Sequence, residues 1–171
     1  PRAGTEIEKD MEDYLFTNLI DGTCNMFMAQ TSDELCKRVG VSREEADEFA
    51  VLSHSRTEKS VDSNLFSNEI VPVNTEQGII DASHEDHFVR GTSKDSLSEL
   101  RTHFGPESLV TAGNASGVVD GAAAVVLKSF KRAKEDGDKP LARIVSWGIV
   151  GLEPAIMAFG PVPSSKKALE K

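Results

Sequence analysis

The sequence predicts an α/β fold in which helices alternate with short strands and with two longer apolar strands. Three observations lead to this prediction. Helical patterns begin near residues 31, 42 and 129, the first two with good N-cap residues. Two largely apolar runs, at residues 122–127 and 141–150, are the length of strands. The first run follows a glycine-rich turn, and runs of small and β-branched residues are typical of strands buried on both faces of a parallel sheet.

Size, charge and cysteine content limit the function classes. A chain of 171 residues forms one domain, or one domain and part of another. Its net charge of −9 disfavours nucleic acid as a partner, and no apolar run approaches the length of a membrane span. Cys24 and Cys36 lie twelve positions apart without further ligands at metal spacing. We therefore expect two reduced thiols in an intracellular protein.

Helix signals dominate the first sixty residues. Residues 6–19 have a helical spacing of apolar side chains. A short helix over residues 31–40 should begin at its threonine, a good N-cap, and end at its glycine. Ser42 and Glu45 form a capping box, which starts a helix expected to reach about Val61.

The rest of the chain alternates short strands, loops and helices. The expected elements are an edge strand at residues 69–73, a second strand at 78–81, a loop and short helix at 90–104, a helix at 129–135, a helical turn at 153–159 and a last helix capped by Ser164.

A cluster of four polar residues suggests a metal site at first sight. His84 and His87 flank Glu85 and Asp86. The cluster lies in a predicted loop and lacks a firm third ligand, so its polarity is explained by a surface position. We predict no metal site.

The glycine-rich turn spans residues 111–121. Its glycines allow close approach of backbone or ligand, and its asparagine, serine and aspartate favour turns. Such a corner, held by a buried strand, can present backbone N–H groups and a hydroxyl to a ligand. It can equally be a tight turn that binds nothing, and the residues alone leave both interpretations open.

Several stretches of the chain resemble the thiolases, the acyltransferases that make or cleave 3-ketoacyl-CoA. The run Val-Thr-Ala-Gly-Asn-Ala-Ser-Gly at residues 110–117, followed by Asp-Gly-Ala-Ala-Ala at 120–124, is similar to a thiolase motif. The stretch from Ser42 to Ser53 resembles a second family segment. Residues 141–147 and 160–164 match two later segments in the same order.

The resemblance implies a domain organisation. Residues 1–117 would form the α+β loop domain that covers coenzyme A, and residues 118–139 the returning strand and helix of the N-terminal thiolase half. Residues 140–171 would begin the C-terminal half. The family's nucleophilic cysteine, its histidine and its second cysteine have no counterpart in this chain. The resemblance therefore implies a central portion of a thiolase, with no catalytic residue and no activity alone.

The resemblance also implies a set of ligand-contacting residues. The Ser116 hydroxyl would bond an amide of the pantetheine arm, and Ala112 would leave room for that arm. Arg90 resembles an arginine that reaches the nucleotide end of the coenzyme. The implied set is Met28, Arg90, Ser96, Leu100, Phe104, Ala112, Ser116 and Met157.

The same resemblance bears on ligand, assembly and location. Coenzyme A or acyl-CoA would be a substrate rather than a resident cofactor. The full enzyme would be a homo-oligomer, a dimer or a tetramer, in the cytoplasm, mitochondrion or peroxisome. Two alternatives stay open: a non-catalytic acyl-CoA-binding or interaction module with a thiolase-like fold, and one chain of a split enzyme.

Overall fold

The computed structural model describes residues 17–81, 90–117, 119 and 121–170. The helices within these ranges are α1 (Met28–Val39), α2 (Arg43–Asp62), α3 (Lys94–Ser98), α4 (Phe130–Glu135) and α5 (Pro161–Leu169), with a 3-10 helix at Pro154–Phe159. The strands are β1 (Ile20–Asp21), β2 (Met26–Phe27), β3 (Val73–Thr75) and β4 (Gly78–Ile80).

The capping box predicted for α2 is confirmed. The Ser42 hydroxyl accepts a hydrogen bond from the Glu45 amide at 3.2 Å, and the Glu45 carboxylate accepts one from the Ser42 amide at 2.8 Å. The two residues satisfy each other's backbone donors, which fixes the first turn. Gly40 ends α1 in the left-handed conformation, with φ of 78°.

The predicted start of α1 is wrong by three residues. The helix begins at Met28 because the Gln30 side chain accepts a hydrogen bond from the Phe27 amide at 2.9 Å. Thr31 lies inside the first turn, where its hydroxyl donates to the Met28 carbonyl at 2.7 Å. The cap predicted for α5 is also wrong, since α5 starts at Pro161 and the Ser164 hydroxyl donates back to the Gly160 carbonyl at 2.8 Å.

Two antiparallel hairpins form the strand pairs of the described chain. β1 pairs with β2, with Ile20 opposite Phe27. β3 pairs with β4, with Val73 opposite Ile80. The second strand predicted at residues 78–81 is therefore confirmed. The first begins only at Val73, because the amides of residues 69 and 70 continue a turn by donating to a carbonyl at residue 66.

The packed part of the molecule is built on α1 and α2. α1 packs against the 3-10 helix, and α2 packs against α3. Ala50 on α2 and Leu97 on α3 are buried. This pair of contacts positions the loop between α3 and residue 117 beside both long helices.

The two apolar runs predicted as strands, of which we expect residues 122–127 to be buried on both faces, form no strand among the described residues. Val126 is 85% exposed, and Trp147 is 65% exposed. A strand buried on both faces needs neighbouring strands and covering layers. The described residues supply no neighbouring strand, so the predicted burial of residues 122–127 on both faces is wrong for this structure. The second run contacts α5, where the Ser146 hydroxyl donates to the Ala168 carbonyl at 2.7 Å and the Lys167 ammonium donates to the Ile149 carbonyl at 3.0 Å.

The sequence predicts three further helical segments, at residues 129–135, 153–159 and 6–19. The helix predicted at residues 129–135 is confirmed as α4, with the Ser129 hydroxyl accepting from the Arg132 amide at 3.2 Å. The helical turn predicted at residues 153–159 is confirmed as the 3-10 helix. The expected helix at residues 6–19 lies mostly outside the described residues. No helix in the described part of the chain combines the length and apolar character needed to cross a membrane.

Candidate functional site

A cavity of about 770 Å³ lies between α1, α2 and residues 111–117 of the glycine-rich turn. We call residues 111–117 the corner. One wall comes from α1 and includes Met28, Ala29 and Cys36. A second comes from the start of α2, with Ala46 and Phe49. Residues 109–112 and 114–116, together with 103 and 104, close the remaining side.

Four of the residues predicted from sequence meet in this cavity. Met28, Phe104, Ala112 and Ser116 all line it, although they come from segments far apart in the chain. Ser116 and Ala112 have exposed side chains, so the hydroxyl and the small methyl face open space. The structure thus brings together half of the predicted set.

The other four predicted residues do not line this cavity. Arg90 pairs with carboxylates of α2, with its Nη1 atom 3.0 Å from Asp62 and 3.6 Å from Glu58. The Ser96 hydroxyl donates to the Ser93 carbonyl at 2.9 Å within the cap of α3. Met157 lies on the 3-10 helix.

Leu100, the last of the predicted set, lies behind the corner rather than in front of it. A Cβ atom placed on Gly113 would lie 2.6 Å from its Cδ1 atom and 2.4 Å from the Cδ2 atom of Leu97. Only a glycine fits between these leucines without displacing them. Leu100 therefore supports the corner from its outer side.

Asn114 holds the corner in shape with three hydrogen bonds. Its side-chain oxygen accepts from the Thr111 amide at 2.8 Å. Its side-chain nitrogen donates to the Leu109 carbonyl at 2.8 Å and to the Asp47 carboxylate at 3.0 Å. His54 adds a contact from α2, with its Nε2 atom 3.1 Å from the Gly113 carbonyl.

A buried ion pair connects this corner to α2. The side chain of Asp47 is 4% exposed and accepts a hydrogen bond from Arg43 Nε at 2.7 Å. Arg43 also donates to the carbonyls of Leu97 and Leu100, at 2.7 and 3.2 Å. The pair therefore ties the start of α2 to both α3 and the corner.

Sequence reasoning assigned no role to Asp47 or Arg43. Their i, i+4 spacing is an ordinary helical ion pair, which is usually found on a solvated surface. The signal that could have found them is the buried position of Asp47 beside Ala50, visible only after α2 is packed.

The charged groups around the cavity are already engaged. The Asp33 carboxylate accepts from the Leu109 amide at 2.8 Å. Hydrogen bonds from the amide and hydroxyl of Ser42 lower the pKa of Glu45. Among the described residues that line the cavity, none is a lysine or arginine. The lining combines apolar side chains with a few hydroxyl and amide groups, so it suits an uncharged ligand with apolar and hydrogen-bonding groups.

The Cys36 thiol faces the same cavity. Burial and the nearby Asp33 carboxylate raise its pKa. A thiol with a raised pKa holds little thiolate near neutral pH, and the thiolate is the nucleophile. The environment of Cys36 thus disfavours attack on a bound thioester.

A second cavity of about 490 Å³ adjoins the first. Asp33, Val41, Phe104 and Leu109 line both. The Phe104 ring stands between them and contacts the Phe27 ring, with centroids 5.4 Å apart. This second cavity carries carboxylates and one lysine, so it is the more polar of the two.

The described residues contain no group of three or more side chains arranged to hold a metal ion. The polar cluster of residues 84–87 lies outside the described ranges.

Comparison with known proteins gives the family. The sequence matches the family described as "Thiolase, N-terminal domain" over residues 2–131. It is 41% identical over 169 residues to an acetyl-CoA acetyltransferase of Rhizobium meliloti, an alignment covering 94% of this chain and 43% of the relative. It is 38% identical over 174 residues to human mitochondrial 3-ketoacyl-CoA thiolase, covering 99% of this chain and 44% of the relative.

Solved structures give the same result. The chain matches human mitochondrial 3-ketoacyl-CoA thiolase in complex with CoA with a TM-score of 0.86 at 36% identity, covering 99% of this chain and 43% of that one. A match of this quality defines a protein of the thiolase fold, and the predicted α/β class is confirmed. The chain belongs to the thiolase family. It spans about 43% of the length of the curated relatives it matches.

Proposed function

We propose that this chain forms the coenzyme A-covering portion of a thiolase and that its cavity receives the pantetheine arm of acyl-CoA. The proposal rests on one observation: a single cavity is lined by Met28, Phe104, Ala112 and Ser116. A related enzyme, human mitochondrial 3-ketoacyl-CoA thiolase, has been crystallised in complex with CoA. Its similarity along 99% of this chain supports the same ligand here.

The chemistry of the walls suits a pantetheine arm. This arm is a chain of methylene and methyl groups interrupted by two amides. Met28, Phe49 and Phe104 offer apolar contact for the hydrocarbon groups, and burial of apolar surface is favourable at about 25 cal/mol per Å². The Ser116 hydroxyl offers one donor and two acceptor sites for an amide.

The charge of the walls suggests where the phosphates lie. Asp33 and Glu45 line the cavity without a lysine or arginine beside them among the described lining residues. Phosphate groups would be repelled there. The nucleotide end of the ligand would therefore lie outside this cavity, and the resemblance assigns Arg90 to that end.

The reaction of the whole enzyme would be formation or cleavage of 3-ketoacyl-CoA by acyl transfer. This chain would bind and orient the thioester, and groups on other polypeptide would attack it. The raised pKa of Cys36 supports the absence of a nucleophile within this portion. The dimeric or tetrameric assembly and the cytoplasmic or organellar location belong to the same proposal.

The absence of a nucleophile is tested by incubation of the chain with acetoacetyl-CoA. We expect no turnover and no acetyl group on Cys24 or Cys36 by mass spectrometry of the intact protein and its peptides. An acetylated cysteine would contradict this part of the proposal.

Binding is tested by calorimetric titration of the chain with coenzyme A. In the variant Ser116→Trp, the indole would fill the space beside Ala112 and Phe104, so we expect binding to be lost. The control is Ser67→Trp, which places the same side chain on an exposed turn away from the cavity. Equal affinity of Ser116→Trp and the unmodified chain would contradict the proposed site.

A further inference from the structure

We propose that Asp47 is a positioning residue for ligand binding: through Asn114 it sets the orientation of the corner that presents Ala112 and Ser116 to the cavity. This inference rests on the proposed function, because it concerns the same site. It goes further by assigning a role to a residue of α2 that does not line the cavity.

Both oxygens of the Asp47 carboxylate are in use, and each points to a different part of the fold. Oδ2 accepts from Arg43 Nε at 2.7 Å, within α2. Oδ1 accepts from Asn114 Nδ2 at 3.0 Å, across to the corner. Asp47 is only 3% exposed, so water does not compete for these sites.

The Asp47 carboxylate determines the orientation of the Asn114 side-chain amide. An ionised carboxylate only accepts hydrogen bonds, so it must face the NH₂ group of Asn114. The amide oxygen is then turned toward the Thr111 amide, which donates to it at 2.8 Å. The second N–H of the NH₂ group bonds the Leu109 carbonyl at 2.8 Å. Leu109 and Thr111 both line the cavity, so this one orientation fixes two of its wall segments.

Arg43 compensates the buried charge of Asp47 and connects it to the leucines behind the corner. A buried carboxylate without a partner is strongly unfavourable, and the Arg43 guanidinium compensates it. The same guanidinium donates to the carbonyls of Leu97 and Leu100, the two leucines that pack against Gly113. The corner is therefore held from its inner side by Asn114 and from its outer side by these leucines, and Asp47 is common to both.

The test uses a swap of the two partners. In Asp47→Asn the new NH₂ group faces that of Asn114, or the new side chain turns and loses Arg43. In Asn114→Asp two carboxylates face each other. In the double variant Asp47→Asn/Asn114→Asp the donor and acceptor between the two positions are exchanged, and Arg43 keeps a neutral acceptor. The bond to the Leu109 carbonyl is lost, because the new carboxylate at position 114 sets an acceptor against that carbonyl oxygen.

Coenzyme A affinity is measured by calorimetry for each variant and corrected for the folded fraction from circular dichroism. We expect each single variant to bind at least about ten-fold more weakly, the equivalent of one charged hydrogen bond. We expect the double variant to recover part of this loss and to bind more tightly than either single variant. The control Glu69→Gln removes a carboxylate from an exposed turn and should bind like the unmodified chain.

The pH dependence of coenzyme A affinity distinguishes a positioning role from a purely structural one. In Asn114→Asp, protonation of one of the facing carboxylates restores a donor, so affinity should rise as the pH falls from 7 to 5. Among the described residues, the other ionisable groups that face the corner or line the cavity are Asp33, Cys36, Arg43, Glu45, His54 and His103, and the variant and the unmodified chain share all of them. The rise should therefore be larger in Asn114→Asp than in the unmodified chain measured at the same pH values. A folded Asp47→Asn variant with unchanged affinity, or an Asn114→Asp variant with pH-independent affinity, would overturn the inference. Failure of the unmodified chain to bind coenzyme A would instead contradict the proposed function.

Discussion

At the scale of single residues, the corner depends on the side chain of Asn114 and on the absence of a side chain at Gly113. Asn114 makes three hydrogen bonds within the corner and across to α2. Gly113 leaves room for two leucines that would otherwise be displaced. Thr111, between the cavity and these leucines, is 1% exposed. The rigidity of the wall that carries Ser116 follows from both features.

The role of Gly113 is tested by Gly113→Ala. The new methyl would lie 2.4 and 2.6 Å from leucine carbons, well inside van der Waals contact. Overpacking of this kind destabilises by about 1–3 kcal/mol, which urea unfolding should detect as a lower midpoint with an unchanged slope.

Gly117→Ala is the matched control, because its new methyl would meet Val119 at an ordinary distance of 3.7 Å. We expect little change in stability for this variant. Equal midpoints for Gly113→Ala and Gly117→Ala would contradict the packing of the corner described above.

Sequence reasoning located only part of the candidate site. Ser116 and Ala112 stand in a motif whose small residues already indicated open space, and both line the cavity. Ser96 was assigned to the ligand, yet its spacing of three from Ser93 is also that of a local cap, and the cap forms. Arg43 and Asp47 stand in the stretch that carries the second family resemblance, yet neither was assigned a role, because burial of a helical ion pair depends on packing that no local pattern contains.

At the scale of elements, the accuracy of the predicted boundaries depends on where the capping groups come from. The start of α2 was predicted correctly because Ser42 and Glu45 complete the cap between themselves. The start of α1 was not, because the cap uses the backbone of Phe27, a strand residue of the first hairpin, and the side chain of Gln30. Thr31 looked like a cap in sequence but bonds within the helix.

One ion pair connects distant elements and gives a pH-dependent contact. Arg38 at the end of α1 forms two hydrogen bonds with Glu153, at 2.6 and 2.7 Å, just before the 3-10 helix. These hydrogen bonds lower the pKa of Glu153 from its ordinary value of 4.5. Since the folded-state pKa is depressed, the stabilisation is fully present above pH 4.5 and is lost as the pH falls through the folded-state value.

The prediction concerns the thermal midpoint of Glu153→Gln relative to the unmodified chain. We expect the variant to melt lower at pH 6 and low salt, and the difference to shrink toward pH 3 and at high salt. Glu69→Gln, which changes an exposed glutamate on a turn, is the control. A difference that is the same at pH 6 and pH 3 would contradict the assigned ion pair.

At the scale of the whole molecule, the two apolar runs at residues 122–127 and 141–150 differ between sequence pattern and structure. Their patterning correctly marks residues that favour burial as strands. Among the described residues these runs form no strand, and many of their apolar side chains are exposed, Val125 to 83% and Ile149 to 77%. Hydrophobic pattern states the preference of a segment, whereas pairing depends on strands elsewhere in space. The fold family could therefore be predicted from motifs, and the burial of these runs could not.

The exposure of the second run can be measured through its tryptophan. Trp147 is the single tryptophan of the chain and is 65% exposed. We expect its fluorescence to have an emission maximum close to that of a tryptophan derivative in water, and to be strongly quenched by iodide. A blue-shifted emission that iodide does not quench would show this segment to be covered in solution.

The central claim is that the cavity beside the glycine corner binds the arm of coenzyme A. The most direct measurement is a titration of the ¹⁵N-labelled chain with coenzyme A, followed by amide chemical shifts. We expect saturable shifts at Ala112 and Ser116, with further shifts at Met28 and Phe104 and none at the β3–β4 hairpin, which contributes no residue to the cavity. Saturable binding whose shifts leave all four of these residues unchanged would contradict it.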